Sequence, residues 1–486
     1  MGEPDVGEPD VGEPAVALTS RPRPLSGLAV KRAAVLAPLH HKGFRLLVGG
    51  QMASNLGDAF YSVALPWYVL ADHGSAVLLG TVLAAYGVPR TVLMAIGGHA
   101  SDRWRPWTVM MACDSLRAAA VAALAVTAAS GRAHPAVLVA VAAVIGAGEG
   151  IFLPGAMSII PALLPDQELQ AGNSLSMGGS QLSFLLGPAL GGAFVALIGP
   201  SSAFWVDAVS FLVSAATLAR IKASLAHGPR SAGPEAGPGE AGGLGEAGRP
   251  REWEARAPDD PIGRQTLGSL LRSERVLQVT MAVIIAANLG MGGLNNVALP
   301  ALARGPLHAG ATGYGALLAA ISAGSLAGTL VAGQKARFRR PAIAASAAFL
   351  GGSCFTSVAP YLGSLWATGV TLAIGDGFYS YGNLVFITVM QRWAPPKLLG
   401  RIMGLLLMGS FAAYPVSVAL GGVMVRAFGP TPLFPAAAGI LVLALLGGLS
   451  QKTWRDFSGI GPAGSSQVAP SRGTAALSPP EEDDGP

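Results

Sequence analysis

The chain has 486 residues, 51% of them hydrophobic and only 12% charged, with 66 glycines, 36 prolines and a formal net charge of +5. A soluble domain carries about 25% charged residues, so this supply cannot coat a water-facing body of such length. Two cysteines, Cys113 and Cys354, exclude a disulfide scaffold, and the seven histidines show no metal-ligand spacing.

Residues 1–43 are polar, open on a Gly-Glu-Pro repeat and hold no short apolar stretch ahead of a cleavage site. They read as a disordered cytoplasmic tail, and the first apolar run reads as a retained anchor. A helix crossing a hydrocarbon core about 30 Å thick needs about 20 mostly apolar residues. Twelve such runs follow, at 45–70, 77–99, 108–129, 136–160, 172–198, 202–221, 277–301, 312–334, 341–359, 362–390, 403–427 and 431–450. Lipid offers no partner to an unpaired peptide group, which selects helices, and the short alternating segments of a barrel do not occur. Residues 223–270, rich in Gly, Ala, Pro, Glu and Arg, read as a flexible cytoplasmic tether, and 452–486 as a second disordered tail. The expected fold is an all-α membrane protein whose twelve transmembrane helices form two six-helix bundles, 44–222 and 271–451.

Charge in the connections sets the orientation. Loops after the odd-numbered spans hold only Arg132, Arg304 and Arg426, whereas most other basic residues, including Arg103, Arg105, Lys335–Arg340 and Arg392–Arg401, lie on the opposite side. Both termini are therefore expected in the cytoplasm. A net positive charge spread between apolar runs, not along one face, does not point to nucleic acid.

The halves repeat each other. Gly179-Ser180, Ala189-Leu190-Gly191-Gly192 and Gly199-Pro200 return as Gly409-Ser410, Ala419-Leu420-Gly421-Gly422 and Gly429-Pro430 at a constant offset of 230. Asn55-Leu56-Gly57 with Val63-Ala64-Leu65-Pro66 returns as Asn288-Leu289-Gly290 with Val297-Ala298-Leu299-Pro300, one residue longer. Gly148-Glu149-Gly150 matches Gly375-Asp376-Gly377. Three matches in one order equate spans one, four and five with seven, ten and eleven, the mark of a duplicated unit.

Six plus six helices, a central tether and cytoplasmic termini resemble the major facilitator superfamily of secondary transporters. Gly98-His99-Ala100-Ser101-Asp102-Arg103 resembles that superfamily's signature loop, although Arg105 stands where a second glycine is usual. The resemblance implies that Asp102, with Gly98 and Arg103, gates by latching the cytoplasmic helix ends of the two halves. Gly187-Pro188-Ala189-Leu190-Gly191-Gly192 resembles the antiporter motif of drug exporters, with Ser174 and Ser183 in place of two earlier glycines. Small residues let helices approach closely in lipid, and Gly187, Pro188, Gly191 and Gly192 suit either a rocking contact or ordinary packing. Ser54–Pro66, Asp114–Ala118 and Asn173–Gly192 look most like the bacterial drug-export branch that includes macrolide efflux pumps and the enterobactin exporter. What the resemblance implies is a monomeric, multi-pass protein of a bacterial cytoplasmic membrane that exports a hydrophobic or amphiphilic small molecule in exchange for protons. A siderophore or lysophospholipid transporter of the same fold, or a fold-mate that no longer transports, is the alternative.

Ionisable groups at membrane depth cost energy and default to functional candidates. Asp58, Glu149 and Asp376 fall near mid-span and are the proton-coupling candidates, with Arg90 as a counter-ion. The ionisation of an acid in a dry site follows the charges beside it, so protonation can follow conformation; each acid has a second reading as half of a structural ion pair. Asp114 and Arg117 read as a local helix pair near the cytoplasmic end of span three, and Asp207 as hydrated near the external surface. Phe60, Tyr61, Phe152, Asn295, Asn296, Phe378, Tyr379, Tyr381 and Asn383 are the substrate-cavity candidates, each with a packing alternative. Without a phosphate-binding glycine loop, a nucleophile motif or a metal triad, the sequence points to no enzyme, no cofactor and no direct coupling to ATP.

Overall fold

Proline and glycine punctuate the chain where its helices begin and end. The computed structural model describes residues 36–131, 134–227, 274–334, 340–394 and 399–455, with Gly2 and Arg272. Twelve main helices result: α1 Lys42–Asp72, α2 Ala76–Trp104, α3 Pro106–Ala129, α4 Pro135–Leu163, α5 Leu169–Ile198, α6 Pro200–His227, α7 Arg275–Arg304, α8 Gly310–Gln334, α9 Pro341–Val358, α10 Leu365–Trp393, α11 Leu399–Phe428 and α12 Leu433–Leu449. Pro106, Pro135, Pro200 and Pro341 open four of them, where the missing N–H has no helical partner to lose. Gly199 and Gly429, the repeated Gly-Pro pair, take φ values of 100° and 80° and close the α5–α6 and α11–α12 turns, a backbone that side chains with a Cβ resist.

Among the described residues nine helices are long and apolar enough to cross a bilayer. The other three are α12, with 17 residues, and the helices that carry the mid-length polar groups, α1 with Asn55 and Asp58 and α10 with Asp376 and Asn383. Large apolar side chains such as Leu197, Leu212, Leu443 and Val423 are exposed, as lipid-facing positions require.

Helix pairing shows the duplication directly. The pairs α1–α5, α1–α6, α2–α4, α3–α4 and α3–α6 recur as α7–α11, α7–α12, α8–α10, α9–α10 and α9–α12, and the two extensive contacts between halves, α2–α11 and α5–α8, also map onto each other. The extra residue in the second copy of the Asn-Leu-Gly run is absorbed as a π-helical turn, Leu294–Ala298, within α7. A single inserted residue in an α-helix takes this form, often at a functional site.

Where the halves touch defines the conformation. One core cluster joins both halves, from Phe60, Val63 and Tyr68 to Val297, Val418 and Phe434, toward the end opposite the chain termini. Toward the termini each half keeps a core of its own, Phe44, Leu47, Met110 and Ile159 in the first and Leu277, Met390, Ile402 and Leu445 in the second. Arg304 also donates to the Ala71 carbonyl across the far end at 3.4 Å. The halves thus share one core at the far end and keep separate cores toward Lys42 and Trp454.

Several expectations meet the structure at the edges. Side chains 97–103 lie outside the described residues, and with them Gly98, Asp102 and Arg103; Arg105, in place of the usual glycine, takes φ 64°, so the turn is made at the cost of backbone strain. The tether expected at 223–270 lies outside the described residues from 228 on, and its first residues instead continue α6 to His227. At the other terminus Lys452–Arg455 forms a short helix whose Trp454 is buried against Phe386, ring centroids 6.0 Å apart. A lone tryptophan in a polar stretch gives no span signal, which is why the tail was expected to start before it.

Candidate functional site

Mid-depth charge gathers in the first half. Glu149 on α4 pairs with Arg90 on α2 at 3.0 Å and accepts a hydrogen bond from the Tyr86 hydroxyl. Arg90 also reaches the other half: its guanidinium lies 4.6 Å from the Phe411 ring centroid on α11, and the Thr91 hydroxyl donates to the Phe411 carbonyl at 3.2 Å. These contacts place the Arg90–Glu149 pair on the α2–α11 seam. Tyr86 and Phe411 escaped the sequence reading, although Tyr86 stands one helical turn before Arg90 on the same face.

Asp114 and Arg117 form an i,i+3 ion pair on α3 that is fully buried, with exposures of 0% and 3%. The local helix pair read from the sequence is thus present, and it is closed off inside the helix packing. The Arg117 guanidinium lies 4.7 Å over Phe152 and 4.4 Å over Phe211, a cation between two rings. Asp207 corrects the expectation of hydration: it is 1% exposed, accepts from Ser210 and lies against α1 at Gly57, where an added Cβ would stand 2.7 Å from its Oδ1. The glycine at 57 makes that approach feasible, and position along α6 alone does not reveal it.

Asp58 is half-buried on α1, within the field of Arg117, Glu149, Asp114 and Arg90. Among the described residues, the interior of the first half therefore holds four acids within its helices, Asp58, Asp114, Glu149 and Asp207, against two arginines, Arg90 and Arg117, each already matched to one acid. Neither Asp58 nor Asp207 belongs to an ion pair among the described residues.

The second half is arranged differently. Asp376 lines a cavity of about 390 Å³ together with Asn288, Met291, Asn295, Phe349, Tyr379 and Asn383, so three of the expected cavity residues meet there. In the first half Asn55 donates to Ser180 at 2.9 Å, tying α1 to α5. Their duplicates Asn288 and Ser410 both face this cavity and bond instead to Ile284 and Leu406 carbonyls.

The remaining candidates lie elsewhere. Phe60 is 8% exposed and packs on Phe194, and Tyr61 packs on Phe204. Phe152 sits against Arg117, Asn296 donates to the Gly292 carbonyl, and Tyr381 packs on the core of the second half. Phe378 stacks on Phe355 at 5.8 Å.

The motif glycines stand at helix crossings. A Cβ on Gly187 or Gly191 would meet α1 at Ala59 or Phe60, and one on Gly192 would meet the α8 backbone at Ala311 and Gly315. Gly421 and Gly422 repeat this against Gly293 on α7 and Ala76 on α2. Helix α5 continues unbroken through Pro188, whose carbonyl faces Gly315.

Comparison with known proteins agrees with this architecture. Residues 47–380 match the Major Facilitator Superfamily. The chain is 28% identical over 406 residues to the multidrug efflux pump Tap of Mycobacterium tuberculosis, covering 81% of this chain and 90% of that one. It is 29% identical over 417 residues to the Tap pump of Mycolicibacterium fortuitum, covering 83% and 93%. Among solved structures, a bacterial homologue of the iron transporter ferroportin in an inward-facing state superposes with a TM-score of 0.60 at 15% identity, over 83% of this chain and 98% of that one. A POT family transporter gives the same TM-score and identity over 84% and 95%; at such identities the likeness concerns the fold. With the duplicated six-helix halves and this match across most of its helices, the chain belongs to the major facilitator superfamily, as a membrane transporter and not an enzyme.

Proposed function

We propose that the protein is a proton-coupled antiporter that exports a hydrophobic or amphiphilic small molecule across a bacterial cytoplasmic membrane by alternating access, with both termini in the cytoplasm. The observation that carries this reading is the excess of acids in the first half. An unpaired buried charge costs several kcal/mol, and such a group neutralises instead. With both arginines engaged, a proton on each of Asp58 and Asp207 balances the cluster. Because Arg90 stands on the seam between the halves, rocking that moves it changes the charge felt by Asp58 and thus its hold on the proton. A proton is taken up in one conformation and released in the other.

The cavity in the second half supports the cargo reading. Its lining is apolar and aromatic with a few amides, two serines and Asp376, and among the described residues it includes no lysine or arginine. The phosphate of a lysophospholipid or the anionic groups of a siderophore require fixed cationic partners, so these alternatives fit less well. The relatives named as multidrug efflux pumps support export of drug-like molecules.

Inside-out vesicles with an acidic lumen provide the test. A pH difference of two units supplies about 2.7 kcal/mol per proton, enough for up to about hundredfold accumulation of ethidium at one proton per molecule. Accumulation that collapses with the gradient is expected for the native protein. Asp58→Asn is expected to equilibrate the dye without concentrating it. Concentrative uptake that persists in Asp58→Asn would remove Asp58 from the coupling role, and uptake indifferent to pH would replace the antiporter with a facilitator.

A further inference from the structure

The duplicated mid-depth acids, Glu149 and Asp376, have different partners, and the register of the two halves shows how. Gly80 packs against the Val418 carbonyl and Gly422, and Gly315 packs in the same way against the Pro188 carbonyl and Gly192. The partners are related by the offset of 230, so α2 maps onto α8 with Gly80 on Gly315 and Ala76 on Ala311. Carried along the helix, this register places Ile321 at the position of Tyr86 and Ser325 at that of Arg90. The offset of 230 likewise places Gln181 at the position of Phe411.

In the first half, Arg90 lies between Glu149 and Phe411. On the duplicate seam the equivalent residues, Ser325, Asp376 and, from the first half, Gln181, line a cavity of about 230 Å³ between α5, α8 and α10, together with Ile321 and Phe184. No ion pair among the described residues includes Asp376. Its polar neighbours are the hydroxyls of Ser325 and Ser380, which bond each other at 2.6 Å. Asp376 is also on the wall of the 390 Å³ cavity, whose Phe349, Tyr379 and Phe386 provide apolar surface and aromatic faces. A carboxylate at the junction of a small polar cavity and a larger apolar one, in the register position of an ion-paired acid, calls for a cation on a greasy body.

We propose that these two cavities, which share Asp376 as a wall, bind an amphiphilic organic cation, its guanidinium or ammonium group against Asp376 as Arg90 is against Glu149, its apolar body along Phe349, Tyr379 and Phe386. This rests on the transport reading only in calling the ligand cargo. It also makes Asp376 a cargo-binding residue and leaves proton coupling to the first half, so cation and proton occupy separate carboxylates and compete through conformation.

The test is equilibrium binding to the purified full-length protein in detergent, followed by calorimetry, with 4-phenylbutylguanidinium and its neutral isostere 4-phenylbutylurea. No gradient is present, so the result does not depend on whether transport is proton-coupled. The native protein is expected to prefer the cation by about tenfold or more, Asp376→Glu to keep that preference and Asp376→Asn to lose it. A second variant acts without removing the acid: Ser325→Arg restores the first half's arrangement, and its own guanidinium is expected to fill the small cavity and exclude the ligand cation. Equal affinity of the native protein for both probes, a cation preference that survives in Asp376→Asn, equal loss of both probes in that variant, or undiminished cation binding in Ser325→Arg would each overturn the assignment.

Discussion

Replacing Gly192 by valine is expected to abolish most transport while leaving the protein folded and in the membrane. A Cβ at this position would lie 2.7 Å from the Ala311 carbonyl and 2.8 Å from the Gly315 Cα, and backbone atoms of a packed helix cannot rotate aside. Overpacking of this kind costs about 1–3 kcal/mol. The cost falls on the state in which α5 and α8 meet, so that state loses about 5- to 150-fold in population relative to its alternative. Gly422→Val is expected to act alike through Ala76 on α2, since an added Cβ there comes within 2.6 Å of a carbonyl. Gly178→Val on the same helix as Gly192, where nothing lies within 4 Å, is the control. Spin-label distances across the far end, read beside ethidium flux, check this. Normal flux and unchanged distances in Gly192→Val would mean that the seam is not a moving contact.

The largest expected loss of stability follows from Arg117→Leu. Asp114 has no exposure, and Arg117 both neutralises it and fills the space between Phe152 and Phe211. Removing one partner of a buried pair costs about 3–5 kcal/mol, whereas replacing both by apolar residues of similar volume is often neutral. Arg117→Leu is therefore expected to lower the unfolding temperature in detergent markedly, and Asp114→Leu with Arg117→Leu to recover most of it. Equal melting of the native protein and Arg117→Leu would show that the pair is dispensable.

Much of the architecture is legible in the sequence because each level repeats the same message. Long apolar runs mark the helices, Gly199-Pro200 and Gly429-Pro430 mark two turns, and the single inserted residue before Val297 marks the π-helical turn. Legibility fails where a contact depends on the relative rotation of distant helices. Asp207 reads as external by its place along α6, yet the approach to Gly57 buries it. Phe60 and Tyr61 share a helix with Asp58 but turn into the core. Asp376, Asn295, Tyr379 and Asn383 do converge, while Gln181 and Ser325 become visible only when the register of the two copies is carried from helix to helix.

The excess of carboxylates over arginines in the first half is tested most directly by counting protons. In weakly buffered detergent solution near pH 7, saturating ethidium, with binding confirmed by its fluorescence, is expected to release about one proton per protein, through linkage between ligand and proton binding. Asp58→Asn is expected to bind the dye and release none. Dye binding without any proton release by the native protein, or the same release from Asp58→Asn, would contradict an exchangeable proton at Asp58.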